Sequence, residues 1–167
     1  QADRMEFSLD RSFTRQMADM GRTAHSKVLK QTTDVIDETA PPAFHDRIDS
    51  KCLRLVRIRF GDDEPIGLQS SVILTERCPG LETYDFNTES LYDVLSSEYH
   101  LVITEIQHTI SAVVADEFQA ELLRIEHNAP LLLVKTTAFL ADRQVIESTV
   151  SYYRADRYEY RTKDVYS

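Results

Sequence analysis

The sequence predicts an α+β fold, one antiparallel β-sheet with short helices on one side, and three observations lead there. Residues 53–74 and 131–153 each read as a hairpin of apolar-rich strands, turned by Gly61-Asp62-Asp63-Glu64-Pro65 and by Ala141-Asp142-Arg143-Gln144. Residues 101–114 alternate, with Val102, Ile106, Ile110, Ala112 and Val114 set against Glu105, Gln107, Thr109 and Ser111, as in a half-buried antiparallel strand. The helical stripes between these strands are short and carry their own start and stop signals.

Ser12 is a good N-cap, Phe13, Met17 and Met20 form one apolar stripe, and Gly21 suits the left-handed position after a last turn, which predicts a helix over residues 12–21. The Phe13 and Thr14 amides at its start are free donors where the helix dipole favours an anion, although such starts more often hold water or their own cap. Residues 23–37 read as a long strand, Pro41-Pro42 breaks the chain, and residues 43–48 fit a short helix. Thr88 caps a helix over residues 89–98 with Leu91, Val94 and Leu95 buried. Asp116, with Gln119 three residues on, caps another that carries Phe118, Leu122 and Leu123.

Strand alternation puts Arg57 and Arg59 on one face of the first hairpin, about 7 Å apart, with Val56, Ile58 and Phe60 on the other. Two like charges so close repel unless an anion lies between them, and guanidinium geometry matches phosphate or carboxylate. An ordinary solvated sheet face, or an internal Arg–Glu pair, accounts for the same spacing. In the last strand Glu147, Thr149, Ser151 and Tyr153 share a face. Glu147 there can accept from hydroxyls, pair with an ammonium, or neutralise Arg57 or Arg59.

The chain of 167 residues, 42% hydrophobic and 28% charged, fits one soluble domain spanning residues 1–167. A formal charge of −9 makes it a poor nucleic-acid binder by itself. Cys52 and Cys78 stand alone; a disulfide is open to them, and reduced thiols of a cytoplasmic protein fit better. No apolar run reaches membrane-spanning length, and no membrane partner is expected. The start at Gln1 instead of Met suggests a piece of a longer protein. His25, His45, His100, His108 and His127 lack metal-ligand spacing, there is no GxGxxG, Walker or GxSxG motif, and no cofactor is expected. Tyr152, Tyr153, Tyr158 and Tyr160 form an aromatic patch suited to core or interface packing.

The run Arg57-Ile58-Arg59 followed by Gly61-Asp62-Asp63-Glu64-Pro65-Ile66 resembles the signature of UTRA domains, the effector-binding halves of HutC-type GntR transcription regulators. Four further pieces follow the family's order: Ser12-Phe13-Thr14, Ser90-Leu91-Tyr92 with Leu95, Ala129-Pro130-Leu131-Leu132, and Val145-Ile146-Glu147 leading to Tyr153-Arg154-Ala155-Asp156-Arg157-Tyr158. The resemblance implies a chorismate-lyase-like fold holding a small molecule against the sheet. It implies that Arg57, Arg59, Ser12, Phe13 and Thr14 hold a phosphate-like group, with Ser90 as a hydroxyl donor and Glu147 and Tyr153 on the rest of the effector. Gln69 stands where the family often has glutamate, and an amide cannot balance an ammonium. The implied partners are a small anionic effector, a second copy in a homodimer, and DNA only through an N-terminal winged helix absent from this chain. A chorismate-lyase-type enzyme and a dimerisation module with a vestigial pocket are the rival readings.

Overall fold

The computed structural model describes residues 5–7, 17–160 and 164–167. Its elements are β1 (Met5–Phe7), β2 (Ala24–Val35), β3 (Lys51–Gly61), β4 (Glu64–Leu74), α1 (Leu91–Tyr99), β5 (Ile103–Val114), α2 (Glu117–Leu123), β6 (Pro130–Leu140), β7 (Val145–Arg154) and β8 (Tyr158–Tyr160). Six strands form one antiparallel sheet in the order β2-β3-β4-β7-β6-β5. The α+β class holds. The two expected hairpins are β3–β4 and β6–β7, and they join through β4–β7 at the centre. A separate parallel pair links β1 to β8, Met5 opposite Tyr158.

Local signals explain most boundaries. Asp62 takes the left-handed conformation (φ 54°) in the β3–β4 turn, which a short polar side chain tolerates. The Asp116–Gln119 capping box opens α2 as expected. Residues 17–19 are helical, and Gly21 (φ 70°) closes them with Gly21 N–H donating to Ala18 and Arg22 N–H to Met17, the paired bonds of a Schellman stop. The expected start of that helix, with Ser12, Phe13 and Thr14, lies outside the described residues.

Three expectations need correction. Helix α1 begins at Leu91 with Ser90 in the cap position, because the Thr88 hydroxyl is drawn into the preceding turn and bonds the Asp85 carbonyl. The stretch after Pro41 makes only a 3-10 turn, Pro42–Phe44, with Phe44 buried. The helices also cover both faces of the sheet. On the face of Leu53, Leu55 and Ile73, helix α1 buries Leu91, Val94 and Leu95, while Ala120 and Leu123 of α2 pack with Ile58 and Leu68 on the other. Both cysteines are free and buried, Cys52 and Cys78 lying in the first of these clusters, and desolvation pushes the Cys78 thiol up to about 11.

Buried Arg154 ties β7 to its surroundings, donating to Asp156 and to the Pro65 and Leu123 carbonyls. Among the described residues no helix is long and apolar enough to cross a membrane.

Candidate functional site

The sheet face that carries Arg57 is apolar at its two ends and polar between them. One end is the α1 cluster; the other gathers Met17, Ile66, Val134, Tyr153 and Tyr158. Strand register sets the polar residues side by side: Arg57 opposite Gln69, Gln69 opposite Ser151, and Ser71 opposite Thr149. Alternation makes them share a face, and the central β4–β7 pairing makes them neighbours.

Neither arginine reaches open solvent, since Arg57 is 3% exposed and Arg59 6%. Arg57 Nη2 donates to Gln69 Oε1 at 2.9 Å, and Arg59 Nη1 donates to the same oxygen at 2.8 Å. Gln69 Nε2 donates to Ser151 Oγ at 3.2 Å. Burial first, and then the Arg59 charge, pull Arg57 well below the usual arginine range. Its Nε–H meets no acceptor among the described residues. A buried donor left unmade costs about 1–3 kcal/mol, more when charged.

Glu147 lies on the same face and is buried, and the Tyr92 hydroxyl, brought over by the first turn of α1, donates to its Oε1. Ser90 caps that same turn without a side-chain cap bond of its own. Between Glu147 and the arginines, the Thr149 hydroxyl donates to Ser71 Oγ at 3.0 Å, both residues buried. Tyr153 lies across Gly67, which pairs with Arg59, and stacks on Tyr158 with ring centroids 4.4 Å apart.

Of the residues singled out in the sequence, the structure thus brings Arg57, Arg59, Gln69, Glu147 and Tyr153 onto one face, with Ser90 at the end of the helix covering it. Tyr92, Ser71 and Ser151 belong to the same surface. Tyr92 appeared in the sequence only within the piece Ser90-Leu91-Tyr92 and Ser151 only by its place on the Glu147 face, while Ser71 carries no motif and register alone could have found it. Among the described residues no cluster of metal-ligand type exists.

Burial pushes the Glu147 carboxyl above its ordinary 4.5, against the opposing Tyr92 bond and Arg57 charge. A carboxyl raised in the folded state contributes its full stability below its unfolded pKa and loses it as pH rises through the folded value. Glu147→Gln is therefore expected to melt above wild type near neutral pH and to match it below about pH 4. Thermal melts across pH check this; a constant offset at every pH would count against the burial argument.

Residues 19–159 match the family described as UTRA domain, and the chain belongs to that family. It is 29% identical over 157 residues to the HTH-type transcriptional repressor NagR of Bacillus subtilis, covering 89% of this chain and 61% of that protein. The crystal structure of the effector domain of PhnF from Mycobacterium smegmatis superposes with a TM-score of 0.88 at 23% identity, covering 98% of this chain and 99% of that one. A GntR-family transcriptional regulator from Enterococcus faecalis gives 0.73 at 25% identity, covering 83% and 99%. The chain spans about three fifths of the length of the curated relatives it matches, which are transcription regulators.

Proposed function

We propose that this domain senses a small anionic metabolite, a sugar phosphate, phosphonate or carboxylate, and controls DNA binding by a winged helix N-terminal to it in a cytoplasmic homodimeric regulator. The observation that carries this reading is the buried Arg57–Arg59 pair sharing one amide oxygen. A buried cation whose Nε–H meets no acceptor among the described residues weakens a fold unless a guest supplies one, so Arg57 favours a guest over a purely structural role. The 28 acidic against 19 basic residues leave DNA contacts to another domain. Ser12, Phe13 and Thr14 are proposed to add amides to the anion site, and Ser90, Glu147 and Tyr153 to contact the rest of the guest.

The guest acts only if it binds the DNA-competent and incompetent forms differently. A route for that difference runs from Arg59 past Gly67 to Tyr153, through the ring stack to Tyr158, and from β8 to β1 near the start of the chain. In the full-length protein, Tyr158→Ala is expected to keep effector affinity within about threefold while shrinking the effector's influence on operator binding, which in allosteric proteins is worth about 1–3 kcal/mol. Operator titrations with and without effector measure it. An undiminished effector response would rule this route out.

Calorimetry of the chain against a panel of phosphorylated sugars, phosphonates and small carboxylic acids tests the sensor reading itself. Binding of an anion that disappears in Arg57→Ala supports it. Turnover of chorismate would favour the enzyme reading, and a stable dimer that binds nothing in the panel would favour a dimerisation module.

A further inference from the structure

The six-stranded sheet ends in two edges that are finished differently. Along β2 the Ser26 N–H donates to the Asn87 carbonyl and the Val28 N–H to Asn87 Oδ1, while Gln31 Nε2 donates to the Glu82 and Tyr84 carbonyls. That strand also carries Lys27, Lys30 and a register shift between Val28 and Lys30. A covering loop, edge lysines and a bulge are ordinary defences of a strand that must not pair again. At the other edge, among the described residues, β5 pairs with β6 and no backbone bond from another element closes its outer side. Its 12 residues include no Lys, Arg or Pro, and its one charged side chain, Glu105, has Arg143 Nη1 3.6 Å away. Its register shift falls at its first residues, between Ile103 and Glu105.

Exposed apolar side chains flank the same edge. Val102, just before β5, is 58% exposed, Val114 at its end 60%, and Phe118 in the first turn of α2 62%. The two valines stand six residues on either side of His108, and Ile106 and Ile110 stand two on either side. We propose that β5 is the interface between two copies of this chain, paired antiparallel across a two-fold axis at His108 so that their sheets become one. The inference rests on the homodimer in the reading above and gives it a surface. About that centre Ile106 meets Ile110 of the second copy, and the valine at each end approaches the opposite valine of the second copy. Glu105 falls opposite Ser111 of the second copy, so like charges are not set together. Copies with 28 acidic and 19 basic residues each repel one another, and a strand with one charge is where that repulsion is least. A strand of 12 residues runs about 40 Å, and a stable interface of about 800 Å² per partner then needs a strip about 20 Å wide. The strand by itself is narrower than that, and the exposed Phe118 beside it adds to the width.

The test uses Gln107→Cys and Thr109→Cys, both at exposed positions of this chain. The proposed register sets Gln107 opposite Thr109 of the second copy, with Cα atoms about 4.5–5.5 Å apart and within disulfide reach. Like positions lie on the diagonal, about 7–8 Å apart and beyond that reach. An equilibrated mixture of the two variants is expected to form a covalent dimer under mild oxidation at least about tenfold faster than either variant alone. Wild type, whose Cys52 and Cys78 are buried, is the control. In sedimentation, wild type is expected to run as a dimer, and Val114→Lys combined with Phe118→Lys as a monomer with a wild-type melting curve. A sedimenting dimer without preferential cross-linking of the mixture overturns the inference and leaves the homodimer standing. A wild type that sediments as a monomer at every concentration overturns the inference too, while the sensor reading still answers to calorimetry.

Discussion

Replacing Arg57 by methionine is expected to make the domain more stable and unable to hold its effector. The side chain is 3% exposed, and its Nε–H has no acceptor among the described residues. Exchanging buried ionic groups for well-packed apolar ones of similar volume is often neutral or stabilising by about 1–4 kcal/mol. For a chain of this size each kcal/mol moves the melting temperature by roughly 2–4 °C. Truncating one partner of a buried charge pair costs about 2–5 kcal/mol of affinity, a loss of roughly thirtyfold or more. Melting curves and calorimetry on one preparation of Arg57→Met measure both. A variant that melts lower than wild type would mean that Arg57 holds the fold together, and the functional argument for its burial would lose its footing.

Gly67→Ala is expected to damage stability and binding together. A methyl group on Gly67 would lie 2.6 Å from Tyr153 Cδ1 and 2.9 Å from Cε1, with the Tyr152 carbonyl 3.3 Å away. The residue sits in central strand β4, paired on both sides with Arg59 and Tyr153, so the ring has to move and the backbone cannot. Overpacking of this kind costs about 1–3 kcal/mol. Moving the ring also breaks the stack with Tyr158 and disturbs the neighbourhood of Arg59. Combining Gly67→Ala with Tyr153→Leu should recover part of the lost melting temperature, since the two residues are in contact and their effects are coupled. Strictly additive losses would show that the ring is not what the methyl meets.

The parts of the fold that were legible in the sequence are those written in a few consecutive residues. The Asp116–Gln119 box, Gly21 after the helical turn and the Asp62-Asp63 turn each satisfy backbone groups locally, and each appears where the sequence placed it. Alternation likewise put Arg57 with Arg59, and Glu147 with Tyr153, on common faces. Alternation does not say which strands meet. That β4 pairs with β7, setting Gln69 beside Ser151 and Ser71 beside Thr149, depends on residues about eighty positions apart. The Tyr92–Glu147 bond spans 55 positions. Nor does an amphipathic stripe say which sheet face it covers, which is why α1 and α2 turned out to flank opposite sides. Thr88 and Ser90 illustrate a further ambiguity: both are good caps, and only the Asp85 turn decides between them.

The most direct measurement is a crystal structure of this chain grown with the tightest-binding anion from the calorimetric panel. The account expects an oxygen of that anion within about 3 Å of both the Arg57 and Arg59 guanidiniums, with Gln69 Oε1 displaced from between them. An anion bound elsewhere, with the two arginines still joined through Gln69, would contradict it.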